Sequence, residues 1–347
     1  MKWFRKHKIF TALLLILLLL VGTVVGFVWS KLRLIDYDDG TRDTPALAET
    51  VPQESLGEDG EASEQLVDVS GLAQVKTPPA IPTRKIEKRD DVVNILLLGT
   101  DERSTQLSDA ARSDSMILVS INKTDKTVKL VSLERGMGGP VLEGEYEGQY
   151  DWLTHMFRYG GADLVCKTVE HCFRVEVDHY VRVNFTTVQT VVDAIGGVSI
   201  YLTEAEAGYL RLLDPNLVEG VNALNGEVAL AYARLREIDS DWQRVGRQRR
   251  VILAAVEALK GASLKQLNDL LDQTLPLIQT NMSMLEITDL MLYAPNFLQS
   301  SFDQMTIPKE GTFGGMTGMG GRGLFAVDFT VNSQILYDFL YNDIKPE

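Results

Sequence analysis

The run VVNILLL occupies residues 92–98 and stops at Gly99. It is almost continuously apolar, a pattern typical of a strand that is buried on both faces of a sheet. A strand of this kind needs other layers above and below it. Further strands are predicted from apolar or alternating runs at 116–121, 127–133, 180–185 and 198–202.

Helical patterns alternate with these strands along the chain. They lie at 161–173, 186–195, 226–236, 245–260, 264–275, 283–292 and 331–340. In the segment 245–260, Val245, Ile252 and Val256 fall on one face, which leaves the arginines on the other. The mixture predicts an α/β or α+β domain over residues 91–347, with a central sheet covered by helices on both faces.

The N-terminus has the features of a single membrane anchor. Residues 9–29 carry no charge and are mostly Leu, Ile, Val and Phe, enough to span a bilayer as one helix. The basic residues of the tail 1–8 favour a cytoplasmic N-terminus, with the remaining chain outside. A cleaved signal peptide is the alternative, although the run ends GFVWSK without an Ala-x-Ala-like site. An extracytoplasmic domain makes nucleic acid an unsuitable partner.

An acidic stretch follows the apolar run. Between Asp36 and Val75 the sequence has eleven acidic residues and one basic residue, Arg42. Few large apolar residues interrupt it, so burial cannot offset the entropy of ordering. We therefore predict a disordered spacer at 30–90. The stretch 36–75 alone has a charge of −10, most of the −14 of the whole chain, so the folded domain is close to neutral.

Polar residues gather at the ends of the predicted strands. Asp101 follows the first strand in LLLGTDER, Arg112 and Asp114 precede the second, and Arg135 follows the third. Such positions commonly converge at one rim of a sheet. Arginine donates paired hydrogen bonds to phosphate, and carboxylates suit a hard divalent cation. This combination fits a phosphorylated substrate, while a turn or cap role is the alternative for each aspartate taken singly.

Several runs together resemble the LytR-CpsA-Psr family in sequence, order and spacing. They are NILLLGTDER, RSDSMILVSIN, VKLVSLER, YGGADL, YVRVNFTTVQTVVDAIGGV, LNGEVALAYARLR and RQRRVI, within about residues 94–262. The resemblance implies an α/β/α fold with a central mixed sheet, outside the membrane of a Gram-positive bacterium. It also implies a phosphotransferase that moves an anionic glycopolymer, such as teichoic acid or capsule, from a polyprenyl-pyrophosphate carrier to peptidoglycan.

The resemblance extends to individual residues. It implies that Asp101 and Asp114 hold Mg²⁺ (or Mn²⁺) and that both act in catalysis together with Arg135. It implies a pyrophosphate-binding set made of Arg112, Arg135, Arg234, Arg236, Arg244, Arg247 and Gln248. Arg249 and Arg250 lie further along the same segment and are expected to matter less.

Three positions depart from the family pattern. Gly136 stands where the family usually has Asp, and Trp152 and Thr154 stand where it usually has Lys and Asn. The departures lie close to the expected site and predict altered acceptor choice or reduced activity. A non-catalytic scaffold that binds the lipid carrier and a polyprenyl-pyrophosphate hydrolase are therefore the alternative functions.

Three further features favour structural roles. His155 has no ligand spacing around it and is interpreted as a helix-surface or packed histidine. The glycine-rich stretch 314–323 lacks the Gly-Lys-Ser/Thr ending of a phosphate-binding loop and is predicted to be a flexible surface loop. Cys166 and Cys172 would lie about 9 Å apart along one helix, too far for a disulfide, and are expected to be two packed thiols.

Overall fold

A computed structural model describes residues 26–39, 67–101 and 112–345. Within these ranges, no helix combines the length and the apolar character that crossing a membrane requires. The basic tail 1–8 and all but residues 26–29 of the apolar segment 9–29 lie outside the described residues. The membrane anchor therefore stays a prediction.

A seven-stranded mixed sheet forms the centre of the domain, with its strands labelled here in chain order. Across the sheet they run β1 (Asp36–Tyr37), β10 (Gln279–Thr280), β7 (His179–Asn184), β2 (Val92–Thr100), β3 (Ser113–Asn122), β4 (Thr127–Leu133) and β11 (Phe302–Ile307). The β2–β3 and β3–β4 pairs are antiparallel, whereas β2 pairs with β7 and β4 with β11 in parallel. The predicted strands at 92–98, 116–121 and 127–133 are confirmed as the middle of this sheet.

The turn between β3 and β4 shows how local sequence fixes the register of the sheet. The Asn122 side chain accepts hydrogen bonds from the backbone N–H groups of Thr124 and Asp125, at 2.9 and 2.8 Å. Lys126 takes a left-handed backbone conformation with φ of 57°. Side chains of this kind substitute for a backbone turn and are favoured where a hairpin reverses.

Helices cover both faces of the sheet, as predicted. Helices α1 (Met156–Phe173) and α8 (Phe329–Tyr341) enclose the main core on one face. Helices α5 (Asp241–Lys260) and α7 (Met284–Phe297) lie over the other face, where they meet Ile117, Val128 and Leu130 of the sheet. The class is therefore α/β with a mixed central sheet.

A second cluster of buried side chains extends the domain beside the sheet. It packs the hairpin-like pair β8 (Val198–Leu202) and β9 (Gly220–Leu224) against four further helices. These are α2 (Phe185–Ala194), α3 (Glu204–Leu210), α4 (Gly226–Arg234) and α6 (Leu264–Thr274). Capping boxes begin α2, α3, α6 and α7, with Asn184, Thr203, Ser263 and Ser283 as the N-cap residues.

Cys166 and Cys172 are both free thiols on α1, as the sequence predicts. Cys172 is buried and Cys166 is partly buried. The helix is interrupted near its start, where Gly161 has a φ of 66°. That conformation suits glycine because other residues carry a Cβ that opposes it.

The acidic stretch differs from its prediction wherever the structure describes it. Asp36–Tyr37 form β1, which pairs in parallel with β10, and Leu32 and Ile35 are buried against Leu275. Val67 and Val75 pack beside Trp152 in a small core of their own. A disordered spacer is therefore wrong for 30–39 and 67–90, while 40–66 lie outside the described residues. Composition reveals whether a segment can fold alone, but these residues bury themselves against distant parts of the chain.

The glycine-rich stretch is also more ordered than predicted. Phe313–Thr317 and Gly323–Val327 form the antiparallel strands β12 and β13. A Cβ on Gly314 would lie 2.5 Å from the Ala73 carbonyl oxygen, and the Gly315 N–H donates to that same oxygen at 2.9 Å. The glycines therefore serve close backbone approach rather than flexibility. The prediction of a flexible surface loop was wrong because it took account only of local composition.

Candidate active site

Six charged residues meet at one end of the central sheet. Asp114 lies at the start of β3, and Glu134 and Arg135 come directly after β4. Since Met116 pairs with Leu133, the antiparallel register brings these ends together. Arg236 follows α4, and the first turn of α5 adds two more charged residues. We call Asp114, Glu134, Arg135, Arg236, Asp241 and Arg244 the arginine–carboxylate cluster.

Two aspartates link the three arginines of this cluster. Arg135 donates from Nη1 to Asp114 Oδ1 at 3.2 Å, and its Nε lies 3.7 Å from Asp241 Oδ2. Arg236 reaches the same two aspartates, with Nη2 3.7 Å from Asp114 Oδ2 and Nε 3.5 Å from Asp241 Oδ1. Arg244 completes the set through its Nε, 2.7 Å from Asp241 Oδ1.

The arginines outweigh the cost of burying Asp114. Burial raises the pKa of this carboxyl, but the positive charges of Arg135, Arg244, Arg236 and Arg112 lower it further, so the net pKa is below the ordinary value. The arginines also oppose one another. Burial and the charges of Arg244 and Arg135 lower the pKa of Arg236 to about 10. A bound anion would relieve this repulsion, which favours phosphate as the natural occupant.

Glu134 and Asp241 form a carboxyl pair that shares one proton. Glu134 is only 1% exposed, and burial together with the charge of Asp241 raises its pKa to about 8. Among the described residues, no donor satisfies Glu134 Oε2 or Asp241 Oδ1 with good hydrogen-bond geometry. A proton held by Glu134 and donated to Asp241 raises the pKa of Glu134 and lowers that of Asp241. With Glu134 neutral, three arginines face two ionised aspartates and the cluster is positive.

This shared proton makes stability depend on pH in a defined direction. Above the ordinary pKa of 4.5 the unfolded chain releases the Glu134 proton, whereas the folded protein keeps it up to about pH 8. The free energy of unfolding must therefore fall as pH rises through that window, by roughly 2 kcal/mol between pH 6 and 8. We expect Glu134→Gln, which mimics the protonated acid, to lose that part of the slope. Urea unfolding of both proteins at the two pH values measures it, and equal slopes would contradict the shared proton.

Asp101 and Arg112 form a separate pair next to the cluster. Asp101 Oδ1 accepts from the Arg112 backbone N–H at 2.9 Å, and Oδ2 accepts from the Arg112 Nε at 3.1 Å. Arg112 also contributes positive charge at Asp114. Residues 102–111, between the two members of the pair, lie outside the described residues. Asp101 and Asp114 thus come to the same end of the sheet, each bound by different arginines.

The donor set at this end of the sheet is compatible with a divalent cation. In the part of the chain that the structure describes, no three or more His, Cys, Asp or Glu side chains gather as a complete metal cage. Mg²⁺, however, is commonly bound by one or two carboxylates and completes its shell with water and substrate phosphate oxygens. Asp101 and Asp114 supply those two carboxylates, so the residues fit Mg²⁺ or Mn²⁺ bound together with a phosphorylated ligand.

Gln248 lies close to the arginine–carboxylate cluster, whereas Arg234 and Arg249 contact other parts of the fold. Gln248 Oε1 accepts from the Ser115 hydroxyl at 2.9 Å, one residue beyond Asp114. Arg234 is exposed and lies over the Phe185 ring, 4.3 Å from its centroid, rather than in the cluster. Arg249 lies against the sheet, where it donates to Ser132 and Thr306.

Arg247 has a position that differs from its expected role. Its side chain is 1% exposed and donates to Glu206 Oε1 at 2.9 Å, to the Leu235 carbonyl at 2.8 Å and to Asp239. Protein groups thus occupy the donors that a pyrophosphate would need. Leu235 and Asp239 lie on either side of Arg236 in the segment between α4 and α5. The contacts of Arg247 therefore hold in place the segment that carries Arg236.

Two members of the cluster were missed at the sequence level. Glu134 stands in the segment SLERG, next to Arg135, and Asp241 stands in DSDWQR, three residues before Arg244. An acid at the end of a buried strand, beside an arginine, is a signal that could have identified Glu134. Asp241 lies at the start of a helix, where an acid is ordinary, so its sequence position carries no comparable signal.

His155 is a packed histidine, one of the two structural roles expected for it. It is fully buried, and its Nδ1 lies 2.9 Å from Asp151 Oδ2, which also accepts from the Tyr159 hydroxyl at 2.6 Å. The neighbouring Thr154 donates to the Ser113 carbonyl at 2.9 Å. This position, which departs from the family pattern, therefore supports the start of the strand that carries Asp114.

Comparisons with known proteins show the family to which the domain belongs. The model of the LytR_cpsA_psr family matches residues 60–334. The chain belongs to the LytR_cpsA_psr family. The family resemblance noted in the sequence is thereby confirmed, and the family domain includes residues that had been placed in the spacer.

Named and solved members of the LytR_cpsA_psr family are similar over most of their length. The polyisoprenyl-teichoic acid–peptidoglycan teichoic acid transferase TagU of Bacillus mycoides (strain KBAB4) is 32% identical over 247 residues, 69% of this chain and 76% of that protein. The structure of TagT bound to LIIa-WTA is similar with a TM-score of 0.59 and 28% identity, covering 77% of this chain and 96% of that one. YwtF (TagT) with bound octaprenyl pyrophosphate lipid gives a TM-score of 0.55 and 26% identity over 77% and 95%.

Proposed function

We propose that this protein is a transferase that moves an anionic glycopolymer of the teichoic acid or capsular type from a polyprenyl-pyrophosphate carrier to peptidoglycan. The observation that carries the proposal is the convergence of Arg135, Arg236 and Arg244 on Asp114 and Asp241 at the end of the sheet. The names of the similar transferases and the octaprenyl pyrophosphate bound by YwtF (TagT) support it.

Each part of the cluster has a defined task in such a transfer. Arg135, Arg236 and Arg244 bind the pyrophosphate and neutralise the charge that develops as the phosphoryl group moves. An acceptor hydroxyl attacks the sugar-side phosphorus, the bond to the bridging oxygen breaks, and polyprenyl phosphate leaves with the proton that the hydroxyl loses. A Mg²⁺ held by Asp101 and Asp114 would add positive charge at the phosphates. Because the arginines are fixed by carboxylates before substrate binds, little reorganisation is needed.

The face of the sheet that α5 and α7 cover suits an apolar carrier. Helix α7 is rich in Leu, Met and Ile, yet none of its residues is buried. Leu285 and Leu292 are 82% and 72% exposed, and the sheet residues Leu97, Val119 and Ile121 below it are only partly buried. Incompletely covered apolar surface of this kind supports binding of a polyprenyl chain.

The proposal includes a membrane location. The basic tail and the apolar segment 9–29 would anchor the protein with the N-terminus in the cytoplasm and the domain outside, where carrier and peptidoglycan meet. Protease added to intact protoplasts would remove the domain in this orientation and leave it intact in the opposite one.

A transfer assay with purified protein, a lipid-pyrophosphate glycan and peptidoglycan oligomers tests the function. We expect glycan attached to peptidoglycan, release of polyprenyl phosphate, and loss of both on removal of divalent cations with EDTA, restored by Mg²⁺. Release of lipid phosphate without a peptidoglycan product would replace the transferase with a hydrolase. Carrier binding with neither product would leave the scaffold function. Full activity in EDTA would contradict the metal.

A further inference from the structure

Three aromatic side chains form one surface outside the charged cluster. The ring centroids of Phe313 and Phe325 lie 5.0 Å apart, and that of Trp242 lies 5.7 Å from Phe313 and 6.2 Å from Phe325. All three side chains are partly exposed. We call Trp242, Phe313 and Phe325 the aromatic platform. A fully buried group of rings would need no further explanation, whereas an exposed one can bind a ligand.

The aromatic platform borders the arginine–carboxylate cluster at two points. Trp242 directly follows Asp241 in the first turn of α5. Phe325 donates its backbone N–H to the Gly136 carbonyl at 2.9 Å, and Gly136 directly follows Arg135. The backbone that carries two of the rings is therefore directly connected to the backbone that carries Asp241 and Arg135.

Gly136 makes room for the aromatic platform. A Cβ at this position would lie 3.3 Å from the Phe325 ring and 2.6 Å from Val67 Cγ2. Any larger residue, including the aspartate expected from the family pattern, would push Phe325 and Val67 away. The departure at 136 thus accompanies an aromatic surface beside the site, which gives this sequence feature a structural reason.

The chemistry of the aromatic platform suits a sugar ring. Aromatic faces carry partial negative charge and repel phosphate, but they attract the weakly positive C–H groups on the apolar face of a pyranose. Resting on the proposed function, we propose that Trp242, Phe313 and Phe325 form a carbohydrate subsite that stacks a pyranose ring of a glycan substrate next to the reacting phosphate. The ring can come from the lipid-linked donor or from the peptidoglycan acceptor.

Substitutions that keep apolar volume but remove the rings test the subsite. Trp242→Leu and Phe325→Leu should each raise KM for one glycan substrate about tenfold, with a smaller change in kcat, and Trp242→Phe should retain most of the affinity. Tyr201→Leu, an exposed aromatic of β8, is the matched control and should behave as wild type. Thermal melting identifies any variant that fails to fold, and if one of the two leucine variants does so, the other carries the test.

Binding measurements separate the two sources of the sugar and isolate the subsite from the overall function. Calorimetry uses three probes: a prenyl pyrophosphate without sugar, the same carrier with its glycan, and a peptidoglycan oligomer alone. Weaker binding of the glycan-bearing carrier by Trp242→Leu than by wild type places the donor sugar on the aromatic platform. Weaker binding of the peptidoglycan oligomer by the same variant places the acceptor sugar there. Unchanged binding of both would overturn the subsite while the transferase stands. Failure of wild type to bind any probe would instead overturn the proposed function.

Discussion

Replacing Arg135 by alanine should lower the rate of glycan transfer on the order of a thousandfold and leave the protein folded. Arg135 contacts both aspartates of the cluster and lies two residues beyond the end of a central strand, so its position is well fixed. Its loss removes charge stabilisation from the transferring phosphoryl group. It also relieves repulsion with Arg236, which limits the cost to folding.

Three variants define how specific this effect is. Asp114→Ala should lose transfer to a similar extent, because Arg135 and Arg236 lose a shared partner. Arg135→Lys keeps the positive charge but loses the planar guanidinium group. Its transfer rate should lie between those of wild type and Arg135→Ala. Arg250→Ala, on the same helix as Arg244 but with a side chain 41% exposed beside Tyr232, should remain close to wild type. Near-full activity of a folded Arg135→Ala protein would refute the assignment of the site.

Replacing Arg247 by methionine should destabilise the fold by about 3–5 kcal/mol. Methionine fills similar space but leaves Glu206, whose side chain is 4% exposed, buried without its main cationic partner. The Leu235 carbonyl and Asp239 also lose a donor. In a domain of this size the melting temperature should fall by roughly ten degrees.

Two comparisons show whether Arg247 acts through the fold or on the substrate. Arg211→Met removes an exposed partner of Glu204 on the same helix as Glu206, and should leave the melting temperature nearly unchanged, because solvent screens this ion pair. Arg247→Met combined with Glu206→Gln should recover part of the stability, because no buried charge is left alone. An unchanged melting temperature in Arg247→Met with weaker pyrophosphate binding would restore this residue to the ligand set.

The sequence predicts most of the central sheet because its strands are marked locally. The apolar run at 92–98 and the turn at Asn122 specify β2, β3 and β4 with little help from elsewhere. The strands β12 and β13 are different, since their glycines allow close contact with residues 67–75, more than 200 residues away in the chain. The order along the sheet, in which β10 lies between β1 and β7, depends on the same kind of distant pairing.

The candidate site was predictable only in part, for a related reason. Arg135, Arg236, Arg244 and Asp114 were found because residue type and position both indicate phosphate chemistry. Arg247 has the same residue type and lies one helical turn after Arg244, yet it faces Glu206 instead of the cluster. Sequence spacing predicts only approximately which side of the helix a residue faces. Whether an arginine there binds phosphate or forms a buried ion pair depends on the position of α3, which carries Glu206. Glu134 was overlooked because a buried acid is unexpected until its proton-sharing partner is in place.

The docking of β1 sets how far the domain can move from the bilayer. On the proposed anchoring, the chain leaves the membrane at about residue 29, and Leu32 and Ile35 already pack against Leu275. Met284 and Ile287, at the start of α7, join the same contact. On this anchoring, only a few residues separate the membrane from the folded domain. The domain would therefore stay close to the lipid surface and would not extend into the depth of the wall. On the same anchoring, peptidoglycan chains would have to approach the membrane to receive their polymer, and the start of the apolar helix α7 would lie close to the point where the chain leaves the bilayer.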